Sequence, residues 1–97
     1  MPTSDAASSN RAIITVLGSD RPGIVASVTG ALAERDANIL DISQTILQGI
    51  FTMTMLIDLG ESVEFAELKS KLDELSESLG VQINLQREEV FRFMYRL

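Results

Sequence analysis

Apolar residues recur along this chain with two different periods, which predict strands and helices in alternation. The short β-branched run at residues 12–17 predicts a first strand that is buried on both faces. Residues 51–58 alternate strictly between apolar and polar, as is typical of a half-buried antiparallel strand. Residues 39–47 and 81–87 are also strand-like, and a turn at residues 48–49 predicts a hairpin between the second and third strands.

Apolar residues at helical spacing predict three helices. The first helix has the stripe Ile24, Val25, Val28, Ala31 and Leu32. The second has the stripe Phe65, Leu68, Leu72, Leu75 and Leu79, and we expect it to end at Gly80. The third carries Val90, Phe93, Met94 and Leu97. We expect Pro22 in the first turn of the first helix, with Asp20 or Arg21 as its cap.

The order β-α-β-β-α-β-α predicts an α+β fold, a ferredoxin-like βαββαβ sandwich with an extra C-terminal helix. Right-handed crossovers place two helices on one face of a four-stranded antiparallel sheet and leave the other face open. Residues 1–10 predict a disordered tail, residues 11–87 the domain and residues 88–97 the extra helix. Because so short a helix is marginal alone, we expect it to dock on the open face or on a second subunit.

Composition excludes several classes of protein. The chain has 97 residues, a net charge of −6, and neither Cys nor His, so disulfides, thiolate or imidazole metal sites and histidine-dependent nucleophiles are absent. No basic run favours nucleic acid or an anionic membrane surface as a partner. The N-terminal segment lacks the features of a secretory signal and no apolar run is long enough to span a bilayer, so we expect a cytoplasmic protein.

The stretch from Gly18 to Gly23 has the outline of a phosphate-binding P-loop. Ile24 and Val25 stand where that loop needs Lys and Ser or Thr, so nucleotide chemistry of this kind is excluded. What survives is a glycine-bearing turn that leads into a helix N-terminus, whose free N–H groups can receive a carboxylate or phosphate. The alternative is a capped turn in which Asp20 is itself the anion.

The segment "ANILDIS" offers two polar side chains, Asn38 and Asp41. Asn38 could present its amide to a small polar ligand or serve only in a turn, and Asp41 could be a charge that protects an edge strand. Parallel topology places the start of the second strand at the opposite end of the sheet from the Gly18–Gly23 turn. Asn38 can therefore approach that turn only if a second subunit supplies it.

The stretch "ITVLGSDRPGIVASVTGALAERDANILDISQ" resembles the first half of the ACT domain family, which comprises small βαββαβ ligand-binding modules that typically regulate amino-acid metabolism. Asp20-Arg21-Pro22-Gly23 and Asn38-Ile39 carry the likeness. "NILDISQTI", "FTM" and the tail "VFRFMYRL" are similar to the stand-alone single-ACT proteins of the UPF0237 group. The resemblance implies a homodimer that holds an amino acid between its subunits, without catalytic residues, metal or cofactor.

The resemblance also implies which residues serve this function. The ligand-binding set comprises Asp20, Arg21, Gly23, Ile24, Asn38, Ile39 and Asp41. The dimer interface comprises Asn38, Leu40, Ile42, Val90, Phe93 and Met94. The chain departs from some serine-binding members in having Gly18 in place of a His and Asp20 in place of an Asn, and an acid at Asp20 favours an ammonium group. The alternative function is a dimeric protein–protein interaction module with no small ligand.

Overall fold

Seven elements follow one another in the predicted order in a computed structural model, which describes residues 10–19, 22–61 and 63–94. They are β1 (Arg11–Ser19), α1 (Ile24–Glu34), β2 (Asn38–Leu47), β3 (Ile50–Asp58), α2 (Phe65–Leu79), β4 (Gln82–Arg87) and α3 (Glu88–Met94). The four strands begin and end within two residues of their predicted bounds, α1 begins later than predicted, and α3 is followed through Met94 only. The described fold begins at Asn10, whose carbonyl accepts a hydrogen bond from the Leu59 N–H.

The four strands form one sheet in the order β2-β3-β1-β4, and all neighbours are antiparallel. Because both β1 and β2 run antiparallel to β3, they are parallel to each other. This is the ferredoxin-like arrangement that the sequence predicts. β2 and β4 are the two edge strands of the described sheet.

The hydrophobic core lies between the inner face of the sheet and the helices α1 and α2. The apolar row of β3 is buried as predicted, from Phe51 through Met53 and Met55 to Ile57. Leu32 of α1 and Leu68 of α2 are fully buried opposite this row. α2 ends at the expected Gly80, which caps it in the left-handed conformation with φ 71°.

The prediction that β1 is buried on both faces is wrong at its C-terminal end. Ala12, Ile14 and Val16 point into the core, and Ile13 on the outer face is also buried. Leu17, further along the outer face, is 45% exposed. Among the described residues, α3 covers the outer face near the N-terminal half of β1.

α3 packs on the outer face of its own sheet, which is the first of the two expected positions. Its start is fixed by an ion pair at 2.8 Å between Arg11 of β1 and Glu88. Its end lies over β4, where the Gln86 Nε2 donates to the Met94 sulfur at 3.4 Å. Gln86 pairs with Ile13, so both residues belong to the outer face. Leu97 of the predicted stripe lies outside the described residues.

Candidate functional site

The turn between β1 and α1 is built around Gly23. This residue adopts the left-handed conformation, φ 91°, and is the N-cap of α1. Its carbonyl accepts the first intrahelical hydrogen bond, from the Ser27 N–H at 2.9 Å. The prediction of Pro22 inside the helix and of Asp20 or Arg21 as its cap is therefore wrong, because the chain reverses at Gly23 itself. Asp20 and Arg21 lie outside the described residues.

The start of α1 presents backbone donors rather than side chains. Three N–H groups, those of Ile24, Val25 and Ala26, precede the Ser27 bond and have no intrahelical acceptor. Gly23 makes no side-chain cap, and the first turn of the helix contains no acidic residue. The Ile24 side chain is buried in the core at 2% exposure, so only its N–H is available to a ligand. A Cβ at Gly23 would meet no atom of the described residues within 4 Å.

Gly18 has a packing role. A Cβ at this position would lie 2.6 Å from Cγ1 of Val81, far inside contact distance. Gly18 faces the core side of β1, opposite Phe51. No side chain fits here without displacing Val81.

The second group of predicted site residues lies at the other end of the sheet. Asn38 pairs with Asp58, as Arg11 does from the other side, whereas Ser19 pairs with Ile50 before the turn. The ten residues of β2 span about 30 Å at ~3.3 Å per residue. A single chain therefore does not bring Gly23 and Ile24 together with Asn38, Ile39 and Asp41, as the topology argument predicts.

β2 carries a bulge at Leu40. The register with β3 shifts between Ile39 and Asp41, so Leu40 has no partner in the ladder. Immediately after the bulge, the Asp41 Oδ1 accepts a hydrogen bond at 2.8 Å from the Ile42 N–H. This contact places the Asp41 carboxylate on a backbone donor of an edge strand. Asp41 thus has a local partner besides any ligand.

Sequence reasoning missed the most exposed aliphatic residues near this edge. Ile46, Leu47 and Ile50 are 58%, 68% and 50% exposed at the tip of the β2–β3 hairpin. The segment "ILQGI" carried the signal, because a two-residue turn flanked by aliphatic residues lies beyond the reach of the helices. Gln48 and Gly49 both have positive φ, 51° and 84°, as in a type I′ turn.

We call the exposed aliphatic side chains of β2 and the hairpin tip the β2 apolar edge. It comprises Ile39, Leu40, Ile42, Ile46, Leu47 and Ile50. A second, separate set of exposed apolar side chains lies on α3: Val90, Phe93 and Met94. Both sets contain residues predicted to form a dimer interface, and they lie on different parts of the surface.

Glu88 fastens α3 to the sheet. Its Oε2 accepts hydrogen bonds from Arg11 and from Arg92, each at 2.8 Å, and its side chain is only 12% exposed. Burial alone would raise the pKa of the Glu88 carboxyl. The hydrogen bonds from Arg92 and Arg11, with their positive charges, outweigh burial and hold this pKa below its ordinary value.

Fold and turn together define a class of protein: a βαββαβ domain whose first helix is capped by a glycine in the left-handed conformation. The model of the ACT domain family matches residues 10–86. The chain belongs to the ACT domain family. It is 48% identical over 89 residues to a UPF0237 protein of Methanocaldococcus jannaschii, an alignment that covers 91% of this chain and 99% of that protein.

Solved structures agree with this assignment. An ACT domain protein from Streptococcus pneumoniae is 43% identical, with a TM-score of 0.74 over 84% of this chain and 92% of that one. A structure described as a putative glycine cleavage system transcriptional repressor is 27% identical, with a TM-score of 0.72 over 79% of this chain and 44% of that one.

Residues 10–19, 22–61 and 63–94 contain neither a cluster of metal ligands nor a helix that could span a membrane. In this part of the chain no group of three or more acidic side chains is placed to hold a metal ion. None of its helices has the length and apolar character to cross a membrane.

Proposed function

We propose that this protein is a non-catalytic regulatory ACT-domain protein that binds a small amino acid between the subunits of a homodimer. The observation that carries the proposal is the exposure of β2. Every residue of this edge strand is exposed, and it contributes most of the β2 apolar edge. An exposed strand edge of this length is a template for pairing with another chain. A second copy of β2 is the partner that matches it best, because the edge is complementary to itself.

The backbone direction of β2 supports this pairing. In a two-residue hairpin, the flanking residues Leu47 and Ile50 form a hydrogen-bonded pair. Bonded and non-bonded pairs alternate in an antiparallel ladder, so Ile42, Gln44 and Ile46 direct their N–H and C=O groups away from β3. The Ile42 N–H accordingly bonds the Asp41 side chain.

Antiparallel pairing centred on Gln44 would place Ile42 opposite Ile46 of the partner subunit. It would also bring the start of β2, with Asn38, to the partner's hairpin tip. That tip lies at the same end of the sheet as the β1–α1 turn. Within one chain, about 30 Å separates the β1–α1 turn from Asn38 at the start of β2. In the dimer, the turn of one subunit would lie next to Asn38 of the other.

The two halves offer complementary chemistry to an amino acid. The N–H groups at the start of α1 would receive the carboxylate, helped by the positive end of the helix dipole. Asp20 would pair with the ammonium group, and the amide of Asn38 from the second subunit would bridge to the ligand. The similarity to a structure described as a putative glycine cleavage system transcriptional repressor supports a regulatory role.

A ligand screen with a paired variant tests this function. We expect one or a few of the common amino acids to raise the melting temperature, and light scattering to give twice the chain mass of 10.6 kDa. Asn38→Ala should weaken ligand binding by about tenfold, the cost of one lost hydrogen bond to a charged group. Asn84→Ala, an exposed asparagine on β4, is the matched control and should bind as the unaltered protein does.

Equal binding by the two asparagine variants would contradict the role of Asn38. Gly23 is a poorer test position, because any side chain at its positive φ strains the backbone whether or not a ligand binds. The absence of binding by any amino acid would overturn the ligand assignment.

The alternative function, a dimeric interaction module without a small ligand, is favoured by the second apolar set on α3. Phe93 is 73% exposed although its helix packs on the sheet. Under this alternative, no amino acid changes the melting temperature, and Phe93→Ala abolishes the capture of a protein partner while the dimer persists.

A further inference from the structure

A cleft of about 540 Å³ lies at the end of the sheet where β1 finishes and β4 begins. β1 contributes Leu17 and Ser19, the last turn of α2 contributes Ser76 and Glu77, and Val81 and Gln82 close the far side. The cleft is on the β4 side of β1, away from β2. It borders the start of the β1–α1 turn at Ser19 but contains neither Gly23 nor Asn38 of the interface site proposed above.

The electrostatics of this cleft favour a cation. α2 is 15 residues long and its C-terminal, negative end forms one wall. The Gly80 and Val81 N–H groups both donate to the Ser76 carbonyl, which leaves the carbonyls of the last turn without intrahelical donors. Glu77 adds a carboxylate, the last turn of α2 contains no basic residue, and none of the described residues that line the cleft is a Lys or Arg.

The remaining surface of the cleft suits a short hydrocarbon chain. Leu17 is half-exposed and Val81 is buried beneath it on the other side of the strand end. The Ser76 hydroxyl donates to the Val81 carbonyl, so its oxygen lone pairs remain able to accept a hydrogen bond. Ser19 and Gln82 provide further polar groups at the rim.

We propose that this cleft is a second binding site, selective for small aliphatic primary amines. The ammonium group binds Glu77 and the carboxyl end of α2, and the aliphatic chain lies against Leu17. An amino acid is a poorer ligand, because its carboxylate would face Glu77 and the negative end of α2. A diamine or monoamine without a carboxylate meets no such repulsion.

Nuclear magnetic resonance titration of the ¹⁵N-labelled protein with 1,4-diaminobutane tests the proposal. We expect saturable shifts of the amide signals of Gly18, Ser19, Gly80 and Gln82, and no such shifts with succinate. Glu77→Gln should weaken the amine affinity about two- to fivefold, the range for one exposed ion pair. Glu74→Gln removes an exposed carboxylate from the same helix outside the cleft and should leave the affinity unchanged.

Two outcomes would overturn the site. Shifts that never saturate and follow all the acidic residues of α2 would show general ionic attraction. An equal loss of affinity in the two glutamate variants would show the same. Amino-acid binding at the proposed dimer interface is monitored through the amide signals of Gly23 and Asn38. A negative result at one site therefore does not affect the interpretation of the other.

Discussion

Gly18 and Gly30 show how differently two glycines constrain this domain. Gly18 lies where β1 passes under Val81, with room for a hydrogen but not for a methyl group. Gly30 lies in the middle of α1, and a Cβ there would meet nothing within 4 Å. One glycine is required by tertiary packing, and the other weakens its helix.

Replacing these glycines by alanine should have opposite effects. Gly18→Ala should lower the free energy of unfolding by about 1–3 kcal/mol, since the new methyl group overlaps Val81. Gly30→Ala should raise it by about 0.5–1 kcal/mol through helix propensity. Urea unfolding followed by circular dichroism measures both. Val81→Gly removes both the Cγ1 and the Cβ that the new methyl group would overlap, so Gly18→Ala should cost less in that background than in the unaltered protein. An equal cost in the two backgrounds would mean that the clash with Val81 is not its cause.

At the scale of elements, the stability of α3 depends on the ion pairs of Glu88 more than on the helix propensity of its own residues. It has seven described residues, none of them buried, and so short a helix is unstable in isolation. Glu88 joins its first turn to Arg11 on β1 and to Arg92 one helical turn later. These ion pairs are electrostatic, so their strength depends on the charge of the Glu88 carboxyl group.

This dependence predicts a pH profile. The pKa of Glu88 is lowered in the folded protein, so its stabilising effect is complete above the unfolded value of about 4.3 and is lost as the pH falls through the lower folded pKa. Glu88→Gln should therefore lower the free energy of unfolding by about 1 kcal/mol at pH 7. The difference from the unaltered protein should shrink below about pH 4.

Urea unfolding at pH 7 and pH 3 measures this difference, with Glu89→Gln as the control. Glu89 is an exposed neighbour on the same turn of α3. A difference between Glu88→Gln and the unaltered protein that is the same at both pH values would show that the Glu88 charge does not hold the helix.

At the scale of the whole molecule, the fold leaves two apolar sets uncovered on different parts of an elongated body of 41 × 33 × 20 Å. The β2 apolar edge extends beyond the helices, and the set on α3 lies over the other half of the sheet. Each set contains residues that were predicted to lie in a dimer interface, Leu40 and Ile42 at the β2 apolar edge and Val90, Phe93 and Met94 on α3. They cannot be equivalent, because β2 also offers backbone groups for pairing and a helix does not.

Charge substitutions at one residue of each set distinguish the two. Ile46→Glu should convert the proposed dimer to a monomer, because it would bury two carboxylates at the paired edge. It should leave the melting transition of the subunit intact, since Ile46 is exposed in the single chain. Phe93→Glu should keep the dimer. Sedimentation velocity measures both, and dissociation by Phe93→Glu alone would move the interface to α3.

Much of the fold follows from the pattern of residues, and the exceptions have specific causes. The strict alternation from Phe51 to Ile57 and the stripe of α2 ending at Gly80 predict their elements correctly, because burial of one face dictates the period. The cap of α1 was predicted wrongly because it depends on the φ of Gly23, which the path of the chain around it sets. The exposure of Leu17 depends on how far α3 reaches across the outer face.

Some features of the candidate site can likewise be predicted from the sequence, and others cannot. The glycine turn, Asn38 and Asp41 are identifiable from local residue chemistry, and strand direction places them at opposite ends of the sheet. Local pattern cannot reveal the contact between Gly18 and Val81, the triad of Arg11, Glu88 and Arg92, or the cleft below α2, because each joins residues far apart in the chain.

The sequence by itself determined the elements, their order and hence the topology, since hydrophobic periodicity and turn residues act over a few positions. Only the tertiary structure decided which apolar residues remain exposed, where α3 docks and which backbone donors of β2 face outward. These properties depend on which element covers which. That coverage arises from contacts between residues that are close in space but far apart in the sequence.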